Sequence, residues 1–466
     1  MNAKHYALSV AVMAATAASA ATIGKVVVNQ MWPWSTKVAI DYELTCDPGE
    51  TWDVSLTVKD AQDNEITGLS NAIYGDTDNV AGGAHRLVWD PGRSLATGTA
   101  PVLSYTLSLR EPLGKKYMIV DLTRDGEGKF SVSYLDEEPS GGFNTEEYTT
   151  SKIVFRRCRA GSFIMGSPDT EVGHDYYDAN NSVLTGSEKQ RKVTLTKDFY
   201  LGIFELTVYQ THALWPEYYA YTDRNKELSY GKKYALREIR PCHFRNATNA
   251  LDTAVDWASS TSVDPTSLIG QLRAGIPAEA QIPAGYVFDL PTEAQWEYAC
   301  RAGTTNVWNN DGSWSPADSY GHGGNTLAER ELNVNTGKNA DTVLRFLGKY
   351  RYDYNETTGH FEWDQSQSVI VGRFLPNAWG FYDMHGNVSE LCVDRWLNSG
   401  FDGSDMVDPL RGAGATGRLV VRGGSWLSNA RECRSAARAC SYSHTAVVDL
   451  GQGARLARVP VRPAGE

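Results

Sequence analysis

Leu290-Pro-Thr-Glu-Ala-Gln-Trp-Glu-Tyr-Ala-Cys-Arg-Ala-Gly-Thr304 carries its own helix-start signal. Pro291 stands before Thr292, and Gln295 follows Thr292 by three residues, the spacing at which a hydroxyl caps a helix and a glutamine side chain returns the bond. Trp296, Ala299 and Cys300 share one face of that helix, which is expected to be buried. Glu293 and Glu297 lie four apart. On spacing alone they form an acid–base pair or two like charges on an exposed face, and Glu297 can also brace a neighbouring loop.

Around this helix the chain from Lys152 onward reads as an irregular α+β domain: short strands, a few helical patterns and long loops rich in Gly, Asn and Asp, with no solenoid-period repeat. The chain has 466 residues, more than one core ordinarily serves, so at least two domains are expected. Its 13 tryptophans, 24 tyrosines and 43 glycines favour short strands and tight turns over a helical bundle. The net charge of -12 repels phosphate backbones, which argues against a nucleic-acid partner.

Residues 22–112 alternate apolar and polar side chains at period two, as in Lys37-Val-Ala-Ile-Asp-Tyr-Glu-Leu44 and Trp52-Asp-Val-Ser-Leu-Thr-Val-Lys59, with Asp47-Pro-Gly and Asp90-Pro-Gly turns between such runs. They predict an all-β sandwich of immunoglobulin or fibronectin type. Residues 113–151 read as connecting strands and a loop. Ahead of the sandwich, Lys4 and His5 lead into an apolar run from Tyr6 to Ala18 and then Ala18-Ser-Ala20, the pattern of a signal peptide over residues 1–20. The expectation is an exported protein, periplasmic, cell-surface or secreted, with no transmembrane segment after cleavage. Its seven cysteines would then meet a disulfide-permissive compartment, and an odd count leaves at least one unpaired within the chain.

Five segments in order carry a family resemblance: Arg159-Ala-Gly-Ser-Phe-Ile-Met-Gly-Ser167, Phe199-Tyr-Leu-Gly-Ile-Phe-Glu-Leu-Thr-Val-Tyr-Gln210, the helix above, Asn377-Ala-Trp-Gly-Phe-Tyr-Asp-Met-His-Gly-Asn-Val-Ser-Glu390, and Val421-Arg-Gly-Gly-Ser-Trp426 followed by Cys433-Arg-Ser-Ala-Ala-Arg438. From about Arg157 onward the chain resembles the formylglycine-generating-enzyme, or sulfatase-modifying-factor, family. The resemblance implies an elaborated C-type-lectin-like fold over residues 152–466.

Calcium takes oxygen ligands from carboxylates and from carbonyls of irregular chain. The resemblance implies a calcium site with side-chain oxygens from Asp383 and Glu390 and backbone oxygens from Gly386 and Val388. A second site would begin at Asn333 and Val334. The competing reading is that Asp383 and Asn387 satisfy turn backbone. His385, within the same segment, reads as a structural histidine.

In the family, oxidation of a substrate cysteine depends on copper(I) held by two thiolates, ligands soft enough for that ion. The first of the two positions is Ser428 here, and counting five further reaches Cys433. If the chain is an oxidase, Cys433 would be catalytic and Ser425 would line the reaction site, with Cys440 as a replacement ligand. The resemblance also offers Cys433 a structural role. Cys300 matches one half of a family disulfide whose other half is Ser435 here, and Cys433, two residues earlier, would share a strand face with it, giving a Cys300–Cys433 bridge.

Two functions follow. In one, the scaffold displays a loop-built cleft, from loops such as 308–325 and 396–408, to a protein, peptide or glycan ligand. In the other, the chain is a copper-dependent formylglycine-generating oxidase acting on a sulfatase cysteine. No His-x-x-x-His-x-Glu segment, phosphate-cradling loop or His-Glu-x-x-His motif is present to suggest other chemistry.

Overall fold

Alternation along the N-terminal strands builds the sheets it predicts. The computed structural model describes residues 9–13, 21–31, 35–66, 69, 72–91, 102–110, 114–171, 174, 188–216, 233–237, 239–246, 257, 260–280, 285–309, 352–355, 360–363, 369–397, 404–412, 418–428, 430–441 and 451–462. The chain divides into two compact units, Met1–Lys115 and Lys116–Glu466.

The first unit is all-β. Its strands are β1 (Ser9–Met13), β2 (Thr22–Gln30), β3 (Val38–Thr45), β4 (Asp53–Asp60), β5 (Ile73–Gly75), β6 (Gly83–Trp89) and β7 (Val102–Arg110). They form one sheet in the order β2-β3-β6-β5 and another in the order β1-β7-β4. Ile40, Tyr42 and Leu44 from the first sheet and Val54, Leu56, Val58 and Leu107 from the second share one core, closed by the edge-on pair Trp89–Tyr105.

In the second unit the strands are β8 (Tyr117–Asp121), β9 (Ser131–Leu135), β10 (Lys152–Cys158), β11 (Gly161–Met165), β12 (Arg191–Leu195), β13 (Phe199–Gly202), β14 (Tyr286–Asp289), β15 (Tyr352–Asn355), β16 (His360–Trp363), β17 (Ser389–Arg395), β18 (Met406–Val407), β19 (Leu419–Arg422), β20 (Ala439–Cys440), β21 (Gln452–Gly453) and β22 (Ala457–Pro460). The helices are α1 (Glu146–Thr150), α2 (Val208–Leu214), α3 (Cys242–Arg245), α4 (Leu268–Gly275) and α5 (Glu293–Arg301). Among the described residues no helix is long and apolar enough to cross a membrane.

A six-stranded sheet, β14-β22-β13-β10-β8-β9, frames this unit, and a four-stranded one, β20-β19-β17-β21, carries the motif loops. The stretch 113–151, read as connecting strands and a loop, supplies β8, β9 and α1, and β8 pairs with β10 along Lys152–Arg156. The reason is burial: Met118, Ile119 and Val120 are successive core residues, as are Ile153, Val154 and Phe155, the mark of strands covered on both faces.

Helix α5 is capped as its sequence predicts. Thr292 accepts from the Gln295 amide, and the Gln295 side chain accepts from Thr292 N. Trp296, Ala299 and Cys300 lie in the core with Phe163, Met384, Cys392 and Trp396. The second motif repeats the device at α2, where Thr207 and Gln210 form the same reciprocal pair.

Candidate functional site

The two glutamates of α5 are buried, not exposed. Glu293 is 0 % and Glu297 1 % accessible, because arginines from the fifth motif reach them. Arg438 grips Glu293 with Nη2 at 2.9 Å, and Arg422 bonds Glu297. Glu297 also accepts from Arg301 Nε and from Gly166 N, both at 2.8 Å, bracing the glycine turn of the first motif. Burial alone would raise both carboxyls. The guanidiniums outweigh it, Arg438 and Arg422 for Glu293, Arg301 and Arg422 for Glu297, and hold both below the ordinary range. Neither is poised as a proton shuttle.

The Asp383–Glu390 loop turns through left-handed backbone at Asp383 (φ 55°), Gly386 (φ 95°) and Asn387 (φ 57°), conformations Asp, Asn and Gly tolerate best. Asp383 Oδ2 accepts from Gly372 N at 2.6 Å, and Asn387 Oδ1 accepts from Val369 N at 2.9 Å, so these side chains fasten the 369–372 segment. Glu390 is committed to Arg455, with Nε to Oε2 and Nη2 to Oε1 both 2.7 Å, and Trp296 Nε1 donates to Oε2 as well. The same guanidinium donates to the carbonyls of Gly202, Ile203 and Tyr382.

The calcium set expected from Asp383, Gly386, Val388 and Glu390 does not fit this arrangement. Asp383 Oδ1 is buried without a hydrogen bond, as a ligand oxygen would be, but both Glu390 oxygens already serve a cation, Arg455. Gly386 N donates to Gly423 O and Val388 N to Glu205, which places these residues in a packed turn. Among the described residues no group of three His, Cys, Asp or Glu side chains is arranged to hold a metal. Asn333 and Val334 lie outside the described residues.

Sequence reasoning missed Glu205, fully buried beside this loop. It accepts from Asn387 Nδ2 at 2.5 Å and Val388 N at 3.0 Å, and burial together with Asp383 and Glu390 pushes it well above the carboxylate range. Burial raises Asp383 to about 7. Arg434 was also missed. It lies between Glu188 (2.8 Å) and Glu171 (2.6 Å), anchoring the segment after the Arg-Gly-Gly-Ser turn. Its place in the quoted motif was visible; its partners, more than 200 residues earlier, were not.

At the turn itself, Gly423 (φ 86°) and Gly424 (φ 69°) are left-handed. Ser425 N donates to Ser428 Oγ at 3.0 Å, and the two hydroxyls lie 3.5 Å apart. The first copper position is thus a hydroxyl serving the turn. Cys433 lies in the core, its Sγ 2.7 Å from where a side chain on Gly424 would begin, and burial raises its thiol well above the usual range. Cys440 has other surroundings, with its Sγ accepting from Arg418 Nη1 at 3.5 Å. Ser428 offers no thiolate, and Cys433 and Cys440 are held by different neighbours.

The expected Cys300–Cys433 bridge is not formed either; all seven cysteines are free thiols in the structure. Ser435 lies beside the Cys300 thiol, and burial carries that thiol to about 12. His385 stands between the two cysteines. Its Nδ1 donates to the Cys433 carbonyl at 2.7 Å, its Nε2 accepts from Asn309 N at 3.1 Å, and Cys300 Sγ lies 4.0 Å from that nitrogen. Burial lowers it to about 4, so it is a neutral structural clamp. Of the loops expected to form a cleft, 310–325 and 398–403 fall outside the described residues. Trp308 and Trp396, at the loop starts, are core anchors.

Residues 144–459 match the sulfatase-modifying factor enzyme 1-like domain. Formylglycine-generating enzymes are similar over 35% of this chain: that of Streptomyces coelicolor is 30% identical over 172 residues, 44% of its own length, and that of Mycobacterium tuberculosis 32% over 176 residues, 48% of its length. The matched stretch therefore spans about half of these relatives. Among solved structures, Treponema denticola variable protein 1 aligns with 67% of this chain and 96% of its own at 20% identity and a TM-score of 0.39, and PvdO from Pseudomonas aeruginosa with 66% and 94% at 21% and 0.36. With the family model spanning well over half its length, the chain belongs to the sulfatase-modifying factor enzyme 1-like family.

Proposed function

We propose that this is an exported, non-catalytic member of the family, in which an immunoglobulin- or fibronectin-like module precedes a scaffold that presents loops to a protein, peptide or glycan ligand. The observation that carries this reading is the Arg422-Gly-Gly-Ser turn. Ser428 supplies a hydroxyl where the family's oxidase needs a thiolate, and that hydroxyl is engaged with Ser425. Cys433 alone gives one buried, protonated thiol, which is neither a nucleophile nor half of a two-coordinate copper site. The motif residues around it are spent on buried ion pairs, which suits a rigid frame for variable loops better than a reaction chamber.

The test is a copper(I) titration followed by incubation with a cysteine-containing sulfatase peptide and oxygen. The expected outcome is no tight copper binding and no aldehyde by mass spectrometry. Copper-dependent aldehyde formation would overturn this reading in favour of the oxidase, with Cys433 as a ligand.

A further inference from the structure

The first unit carries a strand seat whose occupant comes from an unexpected part of the chain. A seven-strand sandwich of immunoglobulin type divides its strands four and three. Here β2-β3-β6-β5 completes the four, but among the described residues between Ala21 and Lys115 only β4 and β7 belong to the other sheet. The third place, against the outer edge of β7, is taken by Ser9–Met13, paired in parallel from Ser9 opposite Ser104 to Met13 opposite Ser108. Those five residues lie inside the apolar run whose pattern is that of a signal peptide.

The stretch of edge they cover, between the bulge at Leu103 and the charged end at Arg110, has no protection of its own. Strands left at a sheet edge are normally blunted by lysine, proline or a bulge. Ser104-Tyr-Thr-Leu-Ser108 contains neither lysine nor proline, and its pairing with β1 runs without a break in register. Tyr105 and Leu107 lie in the unit's core, so β7 is a fixed template and not a fraying terminus.

We propose that the outer edge of β7 is a strand-acceptor site, covered by residues 9–13 in the unprocessed chain, uncovered when the leader is removed, and then taken by an extended apolar segment of a partner protein running parallel to β7. Main-chain bonds supply the affinity of such strand addition, and alternate side chains supply its selectivity. The present occupant states the chemistry: Val10 and Val12 stand opposite Tyr105 and Leu107, and Ser9 and Ala11 stand opposite Ser104 and Thr106. The partner strand alternates β-branched and small residues, without charge or proline. This inference rests on the export part of the proposed function and is independent of the copper question.

The test uses the full chain expressed with its N-terminus and exported, its mature N-terminus read by intact mass, beside the same chain made without export. Each is titrated with a fluorescent Leu8–Ala15 peptide and with its Val10→Pro, Ala11→Pro version, in which, of two consecutive N–H groups alternating in direction, the one in the ladder is lost. The processed chain should sediment as a monomer and bind the first peptide one to one, with the proline version at least about tenfold weaker, and the unprocessed chain should bind neither. A processed chain that ignores the peptide, that pairs with a second copy, or that binds both peptides equally overturns the proposal. So does an exported chain that keeps residues 1–20. The copper and peptide-oxidation assays report on the other unit, so failure there is distinguishable from failure here.

Discussion

Glu293 and Glu297 show what one residue's neighbourhood hides from a reading of spacing. Four apart on a helix, they look like a catalytic pair or solvent-facing charges; their partners Arg438 and Arg422 stand 145 and 125 residues downstream, where no local pattern connects them. Glu293→Gln keeps the shape and removes the carboxylate that Arg438 grips, while Arg422 keeps Glu297, so urea denaturation should show a loss of about 3–5 kcal/mol. The cysteines give a second residue-scale prediction. With Cys300 and Cys433 both buried and unbridged, a native sample should leave both unlabelled by iodoacetamide, and unfolding without reductant should release seven alkylatable thiols by mass. A count of five would restore one bridge. The resemblance that suggested that bridge located the right neighbourhood, since Ser435 does lie beside Cys300, but a two-residue step along an irregular segment did not preserve side-chain direction.

Elements whose ends are fixed by local chemistry were legible in advance. The Thr292–Gln295 box, the apolar strand entering Gly166 and the strand-to-helix passage after Phe199 all follow from short-range rules, and each is present. Thr292→Ala should cost about 1 kcal/mol by urea unfolding, the usual worth of a helix N-cap. Thr207→Ala should cost more, because its hydroxyl also donates to Thr149 O at 2.9 Å and so ties α2 to the end of α1. Equal losses would mean that this second bond carries nothing. What was not legible was which strands pair: β8 reads as a strand from its sequence, yet nothing in Tyr117-Met-Ile-Val-Asp121 says that its neighbour is β10.

For the molecule as a whole, the buried acids divide into two sets that respond to pH with opposite sign. Burial, and then Glu293, raise Asp394 to about 6, above its unfolded value, so its charge weakens the fold at neutral pH and that cost is relieved as pH falls from about 6. Glu293 and Glu297 are held below their unfolded value, so what they contribute is complete above it and is lost as pH falls through their lowered values. Calorimetry from neutral to strongly acid pH should therefore find the highest melting temperature at mildly acidic pH and a steep fall below about pH 4; a melting temperature that declines steadily from neutrality would contradict this balance. The long reach of Arg455 bears on how the chain is made. Its guanidinium closes on carbonyls 252 and 253 residues upstream, and β22, just beyond it, is the strand that joins β13 to β14. Until a ribosome has delivered residue 460, β13 has an open edge and β14 has no partner strand, so this sheet is completed only at the end of the unit's synthesis.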